Sequence, residues 1–318
     1  MAKYRQKLPQ TSERLFLTDG GMETTLVFHD GIDLPCFAAF DLLKTKEGTA
    51  HARRYYERYI TVANASGLGF ILESPTWRAS RDWGAKIGYS ADALADMNRR
   101  AIALMTDLRD QYETPDAPMV ISGNVGPRGD GYVVENAMSA KEAADYHGEQ
   151  INIFANTEAD MVSAFTMNYA EEAIGVAKAA KSADMPVVIS FTLETNGRLP
   201  TGQTLKDAIA QTDAATGQAP AYYMINCAHP THFADALAAN EGWVKRLRGL
   251  RANASRRSHA ELDQAKDLDI GDPVDLGQLY AELRRKLPHL TMLGGCCGTD
   301  HRHVAEISRS CVAIKPAA

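Results

Sequence analysis

Eight short apolar runs, each followed by a stretch with helical spacing, limit what this chain can fold into. The runs lie at 15–18, 69–72, 118–122, 161–165, 186–191, 222–226, 247–251 and 291–293. The fifth run is almost entirely apolar and β-branched, which indicates a strand buried on both faces. Alternating strands and helices favour a parallel α/β architecture, and eight such units are the number in a (β/α)8 TIM barrel.

An open, doubly wound parallel sheet is the alternative arrangement of the same units. No Gly-x-Gly-x-x-Gly motif follows the first run, which weakens a dinucleotide-binding interpretation. No low-complexity linker divides the 318 residues, and this length is ordinary for a barrel. We therefore predict one domain spanning 1–318. The polar stretch 253–272 is the longest without a pattern, which predicts either a loop over the site or a surface excursion.

Composition excludes several classes of protein. The chain is 45% hydrophobic and 23% charged, which is typical of a globular protein, and its net charge of −6 argues against a nucleic-acid-binding surface. Residues 1–14 are polar and contain no signal-peptide core, and no apolar run reaches membrane-spanning length. Five cysteines in this length suggest a reducing compartment. We predict a cytoplasmic protein without nucleic-acid or membrane partners, and a homo-oligomer is compatible with the sequence.

Two adjacent cysteines, Cys296 and Cys297, lie among glycines between the eighth run and a helix predicted at 303–313. Glycines let the backbone turn tightly, and two thiols on one turn can hold a soft metal ion. A third thiol would complete a catalytic zinc set with one open position, and Cys227 at the end of the sixth run is the candidate. A vicinal disulfide, or plain packing of two small residues, is the alternative for the pair.

Functional residues of a barrel collect where its strands end. In this chain the residues that follow those ends are acids, an amide and thiols. They are Asp19, Glu73, Asn124, Glu194, Cys227, Cys296 and Cys297. The barrel interpretation therefore predicts that these side chains share one face. The basic residues between 245 and 257 are interpreted as a solvated surface.

Three segments together resemble the zinc-dependent homocysteine S-methyltransferases. They are Asp-Gly-Gly-Met-Glu at 19–23, Ile-Asn-Cys at 225–227 and Gly-Gly-Cys-Cys-Gly at 294–298. The resemblance spans residues 15–313, with further matches within 122–129 and 190–199. That family includes enzymes that use betaine or S-methylmethionine, and the homocysteine module of cobalamin-dependent methionine synthase.

The resemblance implies a (β/α)8 barrel with Zn²⁺ held by the catalytic residues Cys227, Cys296 and Cys297. It implies that Asp19 binds the acceptor's ammonium, with the Gly20 and Gly21 amides near its carboxylate; Asn124 is a further candidate for substrate binding. The partners are then a small-molecule thiol acceptor and an onium methyl donor. The expected reaction moves a methyl group from S-methylmethionine, dimethylsulfoniopropionate or betaine to homocysteine, giving methionine.

One position departs from the family pattern. The fourth strand usually ends in a glutamate that helps to hold the homocysteine ammonium, and the matching residue here is Phe165. Glu194 and Glu73, at neighbouring strand ends, are the candidate replacements, and Glu194 is our choice. If neither replaces it, the acceptor is a thiol other than homocysteine.

Two other functions stay open at this point. One is a thiol-activating subunit that takes its methyl group from a corrinoid protein, and the other is a non-catalytic zinc-binding barrel. Three loop aromatics, Trp77, Trp83 and Tyr132, could form a wall for a methylated cation. Ordinary packing is the slightly favoured interpretation of these three residues.

Overall fold

A closed barrel of eight parallel strands forms the centre of the computed structural model, which describes residues 2–237 and 241–314. The strands are β1 (Phe16–Leu17), β2 (Gly69–Glu73), β3 (Met119–Val125), β4 (Met161–Met167), β5 (Val187–Thr192), β6 (Pro220–Asn226), β7 (Leu247–Ala252) and β8 (Met292–Gly295). Strand β1 pairs with both β2 and β8, which closes the sheet. The predicted (β/α)8 barrel is confirmed, and the open-sheet alternative is excluded.

Helices connect the strands around the outside of the barrel. They are α1 (Met22–Thr24), α2 (Lys46–Ala65), α3 (Arg81–Lys86), α4 (Ala91–Tyr112), α5 (Ala140–Ala155), α6 (Ala170–Ser182), α7 (Leu205–Thr216), α8 (Pro230–Phe233), α9 (His259–Asp263), α10 (Pro273–Lys286) and α11 (His301–Val312). Short 3-10 helices occupy Pro9–Thr11, Pro35–Phe37, Ala39–Lys44 and Gly242–Arg246, and a π-helical turn occupies Thr25–His29. None of the described helices is both long and apolar enough to span a membrane.

The strand positions agree with the sequence pattern, but most strands end one to three residues later than predicted. The largest extension is that of β3, which continues to Val125 through Gly123 and Asn124, residues that resemble turn formers in isolation, while β4 continues to Met167. Pairing of Asn124 with Ser163 keeps the end of β3 extended, and pairing of Met167 with Phe191 does the same for β4. The predicted domain of 1–318 includes residue 1, 238–240 and 315–318, which lie outside the described residues.

The interior of the barrel changes from apolar to polar along the strands. Alternate strand residues point inward, and most of this filling is apolar. The buried cluster comprises Leu8, Phe16, Ile71, Val120, Met161, Phe165, Val188, Tyr222, Met224 and Met292. Nearer the carboxyl ends the inward side chains are polar, and Ser122 Oγ donates to Ser163 Oγ over 2.8 Å. The polar layer leaves a mouth in which charged groups can be held.

The segment before β1 packs against the other end of the barrel. Tyr4 and Leu8 pack against the interior cluster. The guanidinium of Arg5 donates to the carbonyl oxygens of Ala155, Thr157 and Ala159, between α5 and β4. The N-terminal segment thus adds to the apolar filling at the end of the barrel opposite the strand-end residues.

Candidate active site

The three predicted metal ligands meet at the carboxyl end of the barrel. Cys227 follows β6, and Cys296 and Cys297 follow β8, with β7 paired to both strands. The three sulfur atoms lie within 4.8 Å of one another. In this structure Cys227 and Cys296 form a disulfide, and Cys297 is a free thiol. Cys227 and Cys296, 69 positions apart in the sequence, are therefore brought together by the two strands that flank β7.

Both cysteine turns are anchored to the same strand. The Cys227 amide donates to the Arg251 carbonyl oxygen over 3.1 Å, and the Cys296 amide donates to the Ala252 carbonyl oxygen over 2.8 Å. Cys227 adopts a left-handed backbone with φ of 53°, and Gly298 has φ of 78°. A positive φ is uncommon for a non-glycine residue. At Cys227 it turns the side chain away from the direction that a continuing strand would give it.

The sulfur positions fit a tetrahedral zinc ion. Ligands about 2.3 Å from one tetrahedral ion lie about 3.8 Å apart. Sulfurs within 4.8 Å of one another need only small rotations to close on an ion, once the disulfide is reduced. Burial raises the pKa of the Cys297 thiol to about 11 in the metal-free protein. A metal bound here must therefore displace a proton from Cys297.

The Asp-Gly-Gly turn lies directly against the double-cysteine turn. A Cβ atom on Gly21 would come within 2.5 Å of the Cys296 carbonyl oxygen, so only glycine fits. The Gly21 amide donates to the Thr299 carbonyl oxygen over 3.0 Å. This bond occupies the Gly21 amide that the resemblance assigned to the acceptor's carboxylate. Gly20 lines the cleft beside Gly21.

Asp19 is held in a buried ion pair. Its Oδ1 accepts from Arg251 Nη1 over 2.6 Å, and its Oδ2 accepts from Tyr55 Oη over 2.9 Å. The Arg251 guanidinium also donates to Thr18 Oγ1 and to the carbonyl oxygens of Gly20 and Gly295. Arg251 was grouped with a solvated basic surface in the sequence, and this interpretation is wrong for Arg251, which is buried. The sequence signal for the buried position of Arg251 was its place at an inward-facing site of β7.

Glu73 lines the same cleft as Phe165. Phe165 also belongs to the apolar filling of the barrel interior. Burial raises the pKa of Glu73 to about 7. Glu194 does not belong to the cleft lining; its Oε1 instead lies 3.2 Å from His259 Nδ1. The position of Glu194 therefore does not support our choice of that residue as the acceptor's ligand.

Glu23 is a third carboxylate of the cleft, after Asp19 and Glu73, and the sequence interpretation left it without a role. It lies on α1, immediately after the glycines of the first motif, and lines the cleft. Burial raises the pKa of Glu23 to about 7, and the neighbouring charge of Asp19 adds to this effect. The sequence signal for a role of Glu23 in the cleft was its place in the Asp-Gly-Gly-Met-Glu segment at 19–23.

Tyr132 and His259 form an aromatic wall beside the sulfurs. Their ring centroids are 4.0 Å apart in a stacked arrangement, and Tyr132 Oη lies 3.8 Å from Cys297 Sγ. The Nε2 atom of His259 contacts the Cys227 carbonyl oxygen. His259 begins α9 within the stretch 253–272, so part of that stretch lies over the site, as the loop interpretation predicted.

Two of the three loop aromatics, Trp77 and Trp83, already contact a cation of the protein. The Arg78 guanidinium carbon lies 4.1 Å from the Trp77 ring centroid and 3.6 Å from that of Trp83. Trp77 also lines the cleft, whereas Trp83 does not belong to its lining. Of the three aromatics, Tyr132 is therefore the one placed beside the cysteines.

Asn226 connects the cysteine site to three strands and was not among the predicted site residues. Its Oδ1 accepts from the Thr166 amide over 2.9 Å and from Ser190 Oγ over 2.7 Å. Its Nδ2 donates to Thr166 Oγ1 over 2.9 Å and lies 3.9 Å from Cys296 Sγ. Thr166 has φ of 62°, an unusual value for a β-branched residue, which this side chain stabilises.

A single cleft joins these groups at the mouth of the barrel. Its lining includes Asp19, Gly20, Gly21, Glu23, Glu73, Asn124, Tyr132, Phe165, Cys227, Arg251, Cys296 and Cys297. The Oδ1 atom of Asn124 is buried here and has no hydrogen-bond partner within the described part of the protein. A ligand in this cleft would meet carboxylates, an amide oxygen and thiols together.

Comparison with known proteins agrees with this arrangement. Residues 16–311 match the family model described as homocysteine S-methyltransferase. This chain belongs to the homocysteine S-methyltransferase family. It is thus an S-methyltransferase by family, and the matched range covers all eight strands and the three cysteines.

Solved structures of the homocysteine methyltransferase MmuM from Escherichia coli share the fold. The oxidised form matches with a TM-score of 0.74 at 19% identity, covering 96% of this chain and 99% of that chain. The metallated form matches with a TM-score of 0.73 at 20% identity, covering 96% of this chain and 98% of that chain. At these identities the similarity establishes a common barrel.

Proposed function

We propose that this protein transfers a methyl group from a small onium donor to the thiol of homocysteine, giving methionine, with zinc at its three cysteines. The observation that carries the proposal is the convergence of the Cys227, Cys296 and Cys297 sulfurs beside one acid-lined cleft. The family match supports homocysteine as the acceptor. The existence of a metallated form of MmuM, a protein of the same fold, supports a metal at this site.

The three cysteines would hold zinc and leave one coordination position for the acceptor. When bound, zinc would lower the pKa of the acceptor's thiol, which is about 8.5 when free, and maintain it as a nucleophilic thiolate. The protein's own contribution is to fix the positions of the cysteines. The backbone amides of Cys227 and Cys296 donate hydrogen bonds to β7, and Asn226 contacts Cys296.

A cationic donor suits both the chemistry and the cleft. The acceptor sulfur forms a new bond to the methyl carbon while the bond from that carbon to the donor's sulfur or nitrogen breaks. The departing sulfide or amine leaves neutral and takes the bonding electron pair, and the acceptor's thiol proton is released. The cleft contains Asp19, Glu23 and Glu73, and Tyr132 offers an aromatic face beside Cys297.

Sulfonium donors are placed ahead of betaine because a sulfide leaves more readily than an amine. No glycine-rich phosphate loop follows β1, so a nucleotide-bearing donor is not favoured. We place the reaction in the cytoplasm because its thiols must be reduced to act. The proposed partners are the small thiol acceptor and the onium donor.

The test is a donor panel with reduced, zinc-loaded protein and homocysteine. S-Methylmethionine, dimethylsulfoniopropionate, betaine and methyltetrahydrofolate are supplied separately, with and without a methylated corrinoid protein, and methionine is quantified. Transfer from an onium compound alone is expected. Methionine formed only with the corrinoid protein would replace this proposal with the thiol-activating subunit.

The remaining results of the panel also decide between functions. Transfer from the folate alone would overturn the onium donor. Zinc binding without methionine from any donor, and without any change in the zinc ligands on adding thiols, would identify a non-catalytic zinc-binding barrel. X-ray absorption at the zinc edge distinguishes a site with three sulfur ligands from one with four.

A further inference from the structure

We propose that Glu73 holds the ammonium group of the acceptor, in place of the glutamate that the family has at the end of the fourth strand. The inference rests on the proposed function, because it concerns the acceptor of that reaction. Four features of the cleft support it: the state of Asp19, the character of Phe165, the unpartnered oxygen of Glu73, and the balance of charge.

Asp19 alone is a poor ammonium site in this chain. Its two carboxylate oxygens accept from Arg251 at 2.6 Å and from Tyr55 at 2.9 Å. An ammonium bound to Asp19 would therefore lie close to a guanidinium whose positive charge Asp19 already compensates. The first-strand acid needs a second acid if the acceptor carries an ammonium group.

The fourth strand supplies no such acid. The cleft lining takes Phe165 and Thr166 from this strand, and the Thr166 hydroxyl already accepts from Asn226 Nδ2. The Arg251 guanidinium carbon lies 5.0 Å from the Phe165 ring centroid, so this side of the cleft lacks an acid and is adjacent to a positive charge. An ammonium placed there would gain no hydrogen bond from the Phe165 side chain.

Glu73 offers the missing acceptor atom. It is 3% exposed, and its Oε1 accepts from Ser163 Oγ over 3.1 Å, while its Oε2 is buried without a hydrogen-bond partner among the described residues. A buried carboxylate oxygen without a donor is costly, and a ligand N–H group would relieve that cost. A primary ammonium has three such donors, whereas a sulfonium or a quaternary ammonium has none. The unpartnered oxygen therefore selects the acceptor's ammonium rather than the donor's onium centre.

The charge balance of the cleft points the same way. Asp19 and Arg251 form a buried pair with no net charge. Glu73 is the other fully buried carboxylate of the cleft lining, whereas Glu23 is partly exposed. An ammonium at Glu73 would compensate the buried carboxylate that remains once Asp19 is paired with Arg251.

The test uses a pair of thiols that differ only in the amine. Homocysteine and 4-mercaptobutanoate, its analogue without the amino group, are titrated calorimetrically into reduced, zinc-loaded protein, without a methyl donor. Glu73→Gln keeps the side-chain shape and its acceptor for Ser163. We expect it to weaken homocysteine binding by about tenfold or more, while the affinity for the analogue changes by less than about threefold.

Two further variants serve as references. Glu172→Gln removes an equally buried carboxylate, one paired with His147 outside the cleft, and should leave the ratio of the two affinities unchanged. Glu194→Gln tests the alternative acid. Loss of the preference for homocysteine in Glu194→Gln but not in Glu73→Gln would overturn the inference.

The inference and the proposed function fail in different ways. Equal affinities of the parent protein for the two thiols, or an unchanged ratio in Glu73→Gln, would refute the role of Glu73 even if methionine is formed in the donor panel. Amine-selective binding that depends on Glu73, in a protein that forms no methionine, would support the ammonium site and refute the proposed reaction.

Discussion

Arg251 Nη1 lies 2.6 Å from Asp19 Oδ1 inside the mouth of the barrel. The pair joins the end of β7 to the end of β1 across β8, because the same guanidinium also donates to the Gly295 carbonyl oxygen. The family resemblance assigns Asp19 to the ammonium of the substrate, but in this structure the charge of Asp19 is compensated by Arg251. The pair therefore affects both the folding stability of the protein and the way in which it binds the acceptor.

Breaking this pair should destabilise the protein strongly. Arg251→Met leaves Asp19 buried without its partner, and such a loss costs about 3–5 kcal/mol. Urea denaturation of the reduced protein measures the free energy of unfolding. Asp19→Asn combined with Arg251→Met should recover part of this loss, because the uncompensated charge is then absent.

A matched surface variant controls for the loss of an arginine. Arg309 pairs with Glu306 on the exposed side of α11. Arg309→Met should change the unfolding free energy by less than about 1 kcal/mol. A similar, small effect of both substitutions would contradict the structural role given to Arg251.

Zinc binding should require reduction and all three cysteines. Reduced protein is expected to bind one zinc per chain, measured by atomic emission after gel filtration, whereas oxidised protein with the Cys227–Cys296 disulfide should not. Replacing any one of the three by alanine should abolish tight binding and leave the circular dichroism spectrum unchanged, because the barrel has its own core. Cys36→Ala, at an exposed thiol, is the control and should keep its zinc.

Gly21→Ala should displace the double-cysteine turn. The added Cβ would come within 2.5 Å of the Cys296 carbonyl oxygen, so one of the two turns must shift. We expect a loss of zinc affinity of about tenfold or more, because a coordination site tolerates little displacement of its ligands. Gly242→Ala is the control, since its Cβ would enter open space. Equal zinc affinities of the two variants would argue against the close packing of these turns.

Asn226→Ala should weaken both the fold and the metal site. It leaves the Thr166 amide and the Ser190 hydroxyl without their buried partner, at a cost of about 2 kcal/mol. It also removes the contact with Cys296 Sγ. Thermal denaturation and a competitive zinc titration provide the two measurements. Asn64→Ala, on the exposed side of α2, should affect neither quantity, and unchanged zinc affinity in Asn226→Ala would refute a role in the site.

Glu73 should make folding stability depend on pH. Burial raises its pKa from the ordinary 4.5 to about 7, so the folded protein keeps a proton that the unfolded chain releases between these values. Stability therefore falls as pH rises through this window, and Glu73→Gln should remove this contribution. At about pH 8 the variant is expected to be more stable than the parent by at most about 3 kcal/mol, with a much smaller difference near pH 4.5. Urea denaturation of the metal-free, reduced proteins tests this, and a difference that is independent of pH would contradict it.

The sequence by itself determined the barrel and the cysteine set. Each strand is a local apolar run and each helix has local spacing, so eight repeats of this pattern are visible without knowledge of contacts. The cysteines were predictable because parallel strands place their carboxyl ends on one edge, which brings Cys227 near Cys296 and Cys297. Asn124 was placed at the cleft by the same rule.

Only the tertiary structure decided which charges face the cleft. Three charged residues lie at or near strand ends but have different surroundings. Arg251 forms an internal ion pair with Asp19, Glu73 lines the cleft, and Glu194 contacts His259. These differences depend on side-chain direction and on neighbours distant in sequence. Electrostatic interactions between such groups vary steeply with burial and distance. Strand periodicity fixes neither quantity, and so the sequence indicated a barrel with a thiol site while the packing of β1, β2, β4 and β7 set the polarity of that site.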